Sequence, residues 1–353
     1  MKVAIIGGGI IGAALARALS TAGADVTVFE SAPGATHASF GWINASFYLN
    51  ADHFTLRAAG IEAWRRLGGL VDWTGCLCWE EEGAAFDAQR DQLTALGYAL
   101  EEVSPTQFAT LEPHVAPQRA LRFMQEGIAA PVQTLEAMLD GVRRISGVQV
   151  LGLSTHADTI TGIDTAQGHV PADRVIVAAG TGSPAVLDSV GVSLPMLARP
   201  GLMMRTKPLP PILQHVLAAP AQEVRQDAAG RIWAPTVANH QSDDASKVTT
   251  RPDVLADAAL ARIQTLIPNH RLVWDQVMLA QRPVPQDGLP VIGACGPAGL
   301  HVAVMHSGIT LAAITAELLA PQILDQPLSN AQAALVSPFD PGRFQSGCSK
   351  NRK

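Results

Sequence analysis

The chain has 353 residues, 48% of them hydrophobic and 16% charged, with a formal net charge of −6. That length supports two domains or one large domain with an elaborate insertion. The acidic balance without a basic run argues against nucleic acid as main partner, and no stretch is long and apolar enough to span a membrane.

Residues 2–6 are a short apolar run, followed at once by Gly7-Gly8-Gly9-Ile10-Ile11-Gly12, and residues 26–29 are a second apolar run ending at Glu30. The order strand, Gly-rich turn, helix, strand, acid predicts the unit that binds the ADP half of a dinucleotide. Gly7 allows the tight turn, Gly9 lets backbone approach a pyrophosphate, and Gly12 lets helix pack on strand. Ile11, Ala14, Leu15, Ala18 and Leu19 recur at helical spacing, and Gly23 is a natural stop. Glu30 stands 30 − 12 = 18 residues past the last glycine, where a ribose-binding acid belongs. Residues 3–19 carry three ordered glycines and Arg17 after only Met1 and Lys2, which reads as a nucleotide site rather than a leader and sets a cytoplasmic expectation.

Residues 31–35 form a loop, and residues 39–44 form a tight, partly buried connection. Helical spacing covers residues 54–67, and Ser104-Pro105-Thr106-Gln107 has the signature of a helix start. A further helix is expected over residues 133–145, and buried strands over 148–153 and 174–179. Between residues 195 and 235, dense prolines and short alternating runs predict an antiparallel sheet. Residues 254–267 return to helix, 281–288 form a rigid loop with an Asp-Gly turn, 300–304 a strand, and 309–319 a buried helix. No core pattern is visible from about residue 331, and residues 345–353 read as a frayed tail.

Cys76, Cys78, Cys295 and Cys348 lack the spacing of a redox pair, a zinc site or an iron–sulfur site, so incidental thiols and no metal are expected. Parallel-sheet elements near the start, middle and end, with different material between, favour a flavoprotein over an ordinary nicotinamide dehydrogenase.

Four segments together resemble the FAD-dependent family of D-amino-acid oxidase, glycine oxidase and sarcosine oxidase. They are residues 7–30, 175–180, 282–293 and 306–311, and residues 126–131 are similar to that family's link back into its FAD domain. The resemblance implies an α/β plus α+β fold. A Rossmann-type FAD-binding domain would be assembled from residues 1–45, 126–194 and 281–330, and a substrate domain on an antiparallel sheet from residues 46–125 and 195–280, leaving a tail at 331–353.

The same resemblance implies non-covalent FAD held by Gly7, Gly9, Ile10, Ile11, Gly12 and Glu30, by Ser39, Phe40, Gly41 and Trp42, by Ala179, Gly180 and Gly293, and by Ser307, Gly308, Ile309 and Thr310. Gly308 would begin a helix aimed at the flavin pyrimidine ring, with Thr310 adding a hydroxyl donor. Arg282 matches the position from which related enzymes clamp a substrate carboxylate, or else braces the loop before Pro283; His306 contacts flavin or substrate, or is structural. Trp42 faces flavin or substrate, or belongs to the core. The surroundings of His37 and Cys295 do not match the family's covalent attachment sites.

The implied activity is oxidation of the C–N bond of a small amino acid or amine by hydride transfer to flavin N5, with hydrolysis of the imine. Oxygen or another electron acceptor would complete the cycle, and oligomeric state stays open. Oxidation of a hydroxy acid C–OH bond, a non-catalytic FAD-binding subunit and, more weakly, an NAD-dependent dehydrogenase remain alternatives.

Overall fold

The computed structural model describes residues 1–238 and 243–344. Its first sheet has six strands in the order Val291–Ala294, Leu300–Val304, Arg174–Val177, Lys2–Ile6, Asp25–Glu30 and Arg143–Ser146. Lys2–Ile6 lies at its centre, parallel to both neighbours, with Ile5 paired to Ile176 on one side and to Val28 on the other. Only Val291–Ala294 runs antiparallel to its neighbour in this sheet. Strands buried on both faces read as continuous apolar runs, which is why this sheet was legible from residues 2–6 and 300–304.

The second large sheet has eight strands, in the order Trp274–Gln281, Pro200–Thr206, Ile232–Pro235, Gln222–Gln226, Val216–Ala219, Cys76–Cys78, Ala120–Phe123 and Glu101–Val103. It is antiparallel except where Val216–Ala219 runs parallel to Cys76–Cys78. The period of two sorts its side chains cleanly. Leu77, Met204, Leu217, Val224, Ile232 and Ala234 share a core with Ala256, Ala259 and Ile263 of the helix Pro252–Leu266. Cys76, Cys78, Met203, Val216 and Ala218 join the opposite core, which they share with the helices Ile10–Thr21 and Gly308–Ile323.

The fold class expected from the sequence is present, and the helix start at Ser104 carries a complete capping box with Gln107. Three local expectations need correction. The helix expected over 133–145 is Pro131–Met138, and Arg143–Ser146 is an edge strand beside Asp25–Glu30. Gly141, at φ +71°, turns the chain between them. The strand expected over 148–153 is Val150–His156, and it belongs to a separate three-stranded antiparallel sheet. The segment after 331 is not a tail up to residue 344: Asn330–Val336 is a helix with a Ser329–Gln332 capping box, Phe339 is fully buried, and Arg343 pairs with Asp287. Residues 345–353 lie outside the described residues.

Candidate active site

The turn after the central strand is shaped by close contacts. A Cβ on Gly7, which sits at φ +115°, would lie 2.3 Å from the Ala178 carbonyl oxygen, and a Cβ on Gly12 would lie 2.0 Å from the Gly7 carbonyl oxygen. One on Gly8 would meet Glu30 Oε2 at 2.0 Å. Gly9 is different, because an added Cβ meets nothing nearer than Thr36 Oγ1 at 3.4 Å. Gly9 also caps the helix Ile10–Thr21 without a side-chain hydrogen bond, so the positive end of that helix faces open space. Its first N–H group, on Ile10, donates to Thr36 Oγ1 at 3.1 Å. Glu30 Oε1 accepts from Arg144 Nη2 at 3.0 Å and from Ser146 Oγ, which fixes the carboxylate beside the turn.

This turn opens on a cavity of about 510 Å³. Gly7, Gly9, Ile10, Ile11 and Glu30 line it, as do Ser39, Phe40, Gly41 and Trp42. Ala179 and Gly180 line it too, with Ser307, Gly308, Ile309 and Thr310 at the start of the helix Gly308–Ile323. Arg282 and His306 share the same cavity, so chain segments almost 300 residues apart meet there. Two expected residues do not line it. Gly12 is spent on packing the helix against its own turn, as its contacts show. Gly293 approaches the C-terminal segment instead of a cofactor: a Cβ there would lie 2.9 Å from Pro341 Cδ.

Thr310 also differs from expectation. Its hydroxyl donates to the Trp42 carbonyl at 3.2 Å and accepts from Asn44 N–H at 3.3 Å, so its one proton is committed to holding the 42–44 segment on the helix. Arg282 Nη2 donates to Asp243 Oδ2 at 2.7 Å and Nε donates to the Arg199 carbonyl at 3.3 Å. Burial pushes this guanidinium below its ordinary range, and Asp243 pulls it back up. His306 is exposed, and its carbonyl accepts from Gly308 N–H at 2.6 Å. His37 is not among the lining residues.

Sequence reasoning missed four polar residues here. Arg57, only 4% exposed, comes from the helix Ala51–Leu67. Its Nε donates to the Asn44 carbonyl at 3.1 Å, Nη2 to Asn44 Oδ1, and Nη1 to Ser307 Oγ. Burial lowers its pKa to about 10, against the pull of Glu126 and Tyr98, so it stays a cation at neutral pH. A fixed positive charge and the positive end of the helix Gly308–Ile323 thus coincide at Ser307. Arg57 lies on the buried stripe of Phe54, Ile61 and Trp64, and an arginine on such a stripe is the signal that could have found it.

Glu126 is fully buried behind Trp42. Its Oε2 accepts from Trp42 Nε1 at 2.9 Å, and its Oε1 from Tyr98 OH at 2.7 Å and Ser46 N–H at 3.3 Å. Burial raises its pKa to about 7, although all of these hydrogen bonds favour the carboxylate. Asn44 and Glu223 also line the cavity. Glu223 lies in a mostly polar run, Gln222-Glu223-Val224-Arg225-Gln226, that looks in sequence like a solvated strand.

No metal site emerges: among the described residues no group of three or more His, Cys, Asp or Glu could hold an ion. Cys76, Cys78 and Cys295 are buried and free, and burial pushes Cys78 and Cys295 up to about 12, which makes them inert packing groups. Cys348 lies outside the described residues. Among those residues, no helix is long and apolar enough to cross a membrane.

A parallel sheet whose Gly-rich turn and two helix N-termini open on a cavity shared with an antiparallel sheet defines a dinucleotide-dependent oxidoreductase. The chain matches the family described as FAD dependent oxidoreductase (DAO) over residues 2–322, and it belongs to that family. It is 28% identical to the tRNA 5-methylaminomethyl-2-thiouridine biosynthesis bifunctional protein MnmC of Thiobacillus denitrificans, an alignment covering 97% of this chain and 59% of that one. The chain therefore spans little more than half the length of that relative. It is 25% identical to glycine oxidase of Pseudomonas aeruginosa, over 90% of this chain and 93% of the relative. Its fold is similar to that of glycine oxidase from Geobacillus kaustophilus, with a TM-score of 0.85, 21% identity, and coverage of 98% and 99% of the two chains.

The chain is thus an FAD-dependent oxidoreductase, and its residues fit that cofactor. The open face of Gly9 at a helix N-terminus suits a pyrophosphate, and Glu30, fixed beside the turn, suits a ribose.

Proposed function

We propose that this enzyme oxidises the carbon–nitrogen bond of a small amino acid or amine. The observation that carries this reading is the single cavity that joins the Gly9 turn to Arg57, Glu223 and Arg282. Its dinucleotide end has a helix dipole and an acid, and its remaining polar lining offers both cations and a carboxylate, as a zwitterion requires. Likeness to glycine oxidase over nearly the whole chain supports the same class.

The two-electron acceptor for such a reaction is supplied by FAD when bound, held by Gly7, Gly9, Ile10, Ile11 and Glu30, by the 39–42 segment, by Ala179 and Gly180, and by the start of the helix Gly308–Ile323. The chain's own residues do the rest. Arg282 binds a substrate carboxylate in two-point fashion once its hydrogen bond to Asp243 yields, and so fixes the substrate's Cα–H in one orientation. Met203, Phe40 and Trp42 supply apolar walls that exclude water. Arg57 and the helix end at Ser307 stabilise negative charge that develops beside them.

The test is anaerobic titration of the yellow holoprotein with a panel of D-amino acids, glycine, N-methyl amino acids and hydroxy acids. Bleaching with release of ammonia or amine is expected. Ketone formation without nitrogen release would move the enzyme to the hydroxy-acid class. No bleaching across the panel, with a tight protein partner on pull-down, would leave a non-catalytic FAD subunit.

A further inference from the structure

We infer that a second cavity, separate from the one that takes the cofactor, binds an organic ammonium with a small apolar body through His215 and Asp72. This site does not depend on the amine-oxidation reading and lies elsewhere in the molecule.

The second cavity has a volume of about 380 Å³, within the size range of small-molecule sites. None of its described lining residues lines the first cavity, but one strand pair joins the two. Trp42, which lines the first, is paired with Ile128, which lines the second. Ile128, Leu209, Pro211 and Leu213 give the second cavity apolar walls.

Its polar centre is His215, which is only 7% exposed. Glu112, fully buried at the end of the helix Pro105–Leu111, accepts at Oε1 from the Gln214 N–H at 2.9 Å and the His215 N–H at 2.7 Å. The same oxygen lies 2.8 Å from His215 Nδ1. An ionised carboxylate only accepts, so the ring proton sits on Nδ1, and Nε2 of the neutral imidazole is an acceptor. Glu112 holds the Nδ1 side and Gly75 flanks Cδ2, and neither residue lines the cavity, so the ring turns its Nε2 edge toward it. Nε2 has no hydrogen-bond partner among the described residues. A rigidly held acceptor at such low exposure is best matched by a donor from a ligand.

Most other polar groups of the lining are already committed. Asp227 accepts from the Ala229 and Arg231 N–H groups and from Trp233 Nε1. Gln226 uses its oxygen on the Ile212 and Leu213 N–H groups and its nitrogen on the Pro210 and Gly230 carbonyls. Thr74 gives its proton to the Gly75 carbonyl. What remains is the His215 lone pair, the Gln214 amide and the exposed carboxylate of Asp72. No Lys or Arg stands among the described lining residues. Acceptors and negative charge without a cation disfavour a carboxylate or phosphate ligand. An ammonium supplies N–H donors for His215, a charge for Asp72 and an alkyl group for the walls.

The experiment observes His215 directly. Holoprotein with nitrogen-15-labelled histidine is titrated anaerobically at about pH 8, and the Nε2 resonance of His215 is followed by NMR, assigned by its loss in His215→Gln. The probes are isoamylamine, its N,N,N-trimethyl derivative, isoamyl alcohol and isovalerate. Isoamylamine is expected to move the resonance saturably and to bind about fivefold or more tighter than the alcohol. The trimethyl derivative keeps the charge but has no donor, and should bind about threefold or more weaker than the amine. Asp72→Asn, a change at an exposed position, should weaken the amine by about threefold with the melting temperature unchanged.

A resonance that no probe moves assigns Glu112 and His215 to bracing the 212–215 segment alone and overturns the inference. A response to isovalerate but not to the amine, or equal affinities for amine and alcohol, also overturns it. So does a trimethyl derivative that binds as well as the amine, or an amine affinity untouched by Asp72→Asn. Flavin absorbance, recorded in parallel, reports on the first cavity, so this site and amine oxidation fail independently.

Discussion

Arg57 and Ser307, separated by 250 positions, meet where the helix Gly308–Ile323 begins: Arg57 Nη1 donates to Ser307 Oγ, while its other donors hold Asn44. This contact ties the helix Ala51–Leu67 to the N-terminal end of the last long helix. Trp64 reinforces the tie by donating through Nε1 to the Ile309 carbonyl at 2.9 Å. Both helices thereby become one support for the cavity wall.

Replacing Arg57 with Met should therefore weaken the protein as well as the site. It strands the Asn44 carbonyl and Asn44 Oδ1, and each buried acceptor left without its donor costs about 1–3 kcal/mol. Arg57→Lys should fall between, because an ammonium cannot reproduce the fork that reaches Asn44 and Ser307 together. Melting of the apoprotein and flavin content after purification both check this. A Met variant as stable as wild type would contradict it.

Gly9 and Gly12 should separate cofactor affinity from folding. Gly9→Ala adds a methyl that meets only Thr36 Oγ1 at 3.4 Å in the protein, so the apoprotein should melt within a degree or two of wild type. FAD affinity should nonetheless fall by about tenfold or more, since the methyl enters the space that a pyrophosphate needs. Gly12→Ala should behave in the opposite way. Its methyl would lie 2.0 Å from the Gly7 carbonyl oxygen, and overpacking of this kind costs roughly 1–3 kcal/mol or more before any cofactor binds. Differential scanning fluorimetry of apoprotein together with FAD titration reads both.

The contrast between these two glycines shows what was legible in the chain. Spacing located the turn, and the order of anchors located the fold, because buried parallel strands and Gly-rich turns leave local patterns. The helix expected through residue 145 failed because Arg143-Arg144-Ile145-Ser146 owes its strand to Glu30, a partner 114 positions from Arg144 that no local window contains. Gly293 stays off the cavity, and the Thr310 proton is taken although Thr310 lines it, for a related reason: their neighbours, Pro341 and Trp42, are supplied by distant segments. Arg57 and Glu223 carry charge on faces that local patterning assigns to core or to solvent, and only the fold turns those faces toward a cavity.

Glu126 makes the stability of the protein depend on pH. Its pKa rises from the ordinary 4.5 to about 7 through burial, so the folded state holds a proton that the unfolded chain releases between those values. The resulting stabilisation is fully present below about pH 4.5 and is lost as pH rises through 7. A shift of that size corresponds to roughly 3 kcal/mol. Glu126→Gln removes the titration but leaves one amide N–H facing the donors of Trp42 or Ser46, at a roughly constant cost of 1–3 kcal/mol. Urea midpoints measured between pH 4.5 and 8 should fall for wild type relative to Glu126→Gln. Parallel curves for the two proteins would show that Glu126 does not titrate in this range.

Arg282 and Asp243 set up a competition whose outcome depends on which partner is removed. In the folded chain Arg282 Nη2 is 2.7 Å from Asp243 Oδ2, with both side chains largely shielded from water. If Arg282 clamps the substrate carboxylate, Arg282→Met should lower kcat/KM for amino acids by about 2–5 kcal/mol, the range for truncating one side of a shielded charge pair. Amines that lack a carboxylate should lose far less. Asp243→Asn weakens the internal competitor and should act in the opposite sense, lowering KM for amino acids by roughly threefold to tenfold, since a hydrogen bond to a charged group is worth about 1.5–3 kcal/mol and part of it survives with the amide. A purely structural Arg282 bracing the loop before Pro283 gives another pattern: both variants lose stability, and carboxylate-bearing and carboxylate-free substrates suffer equally. Steady-state kinetics of both variants on one matched pair, D-alanine and ethylamine, therefore separates the two roles, and a rise in KM for Asp243→Asn would count against the clamp.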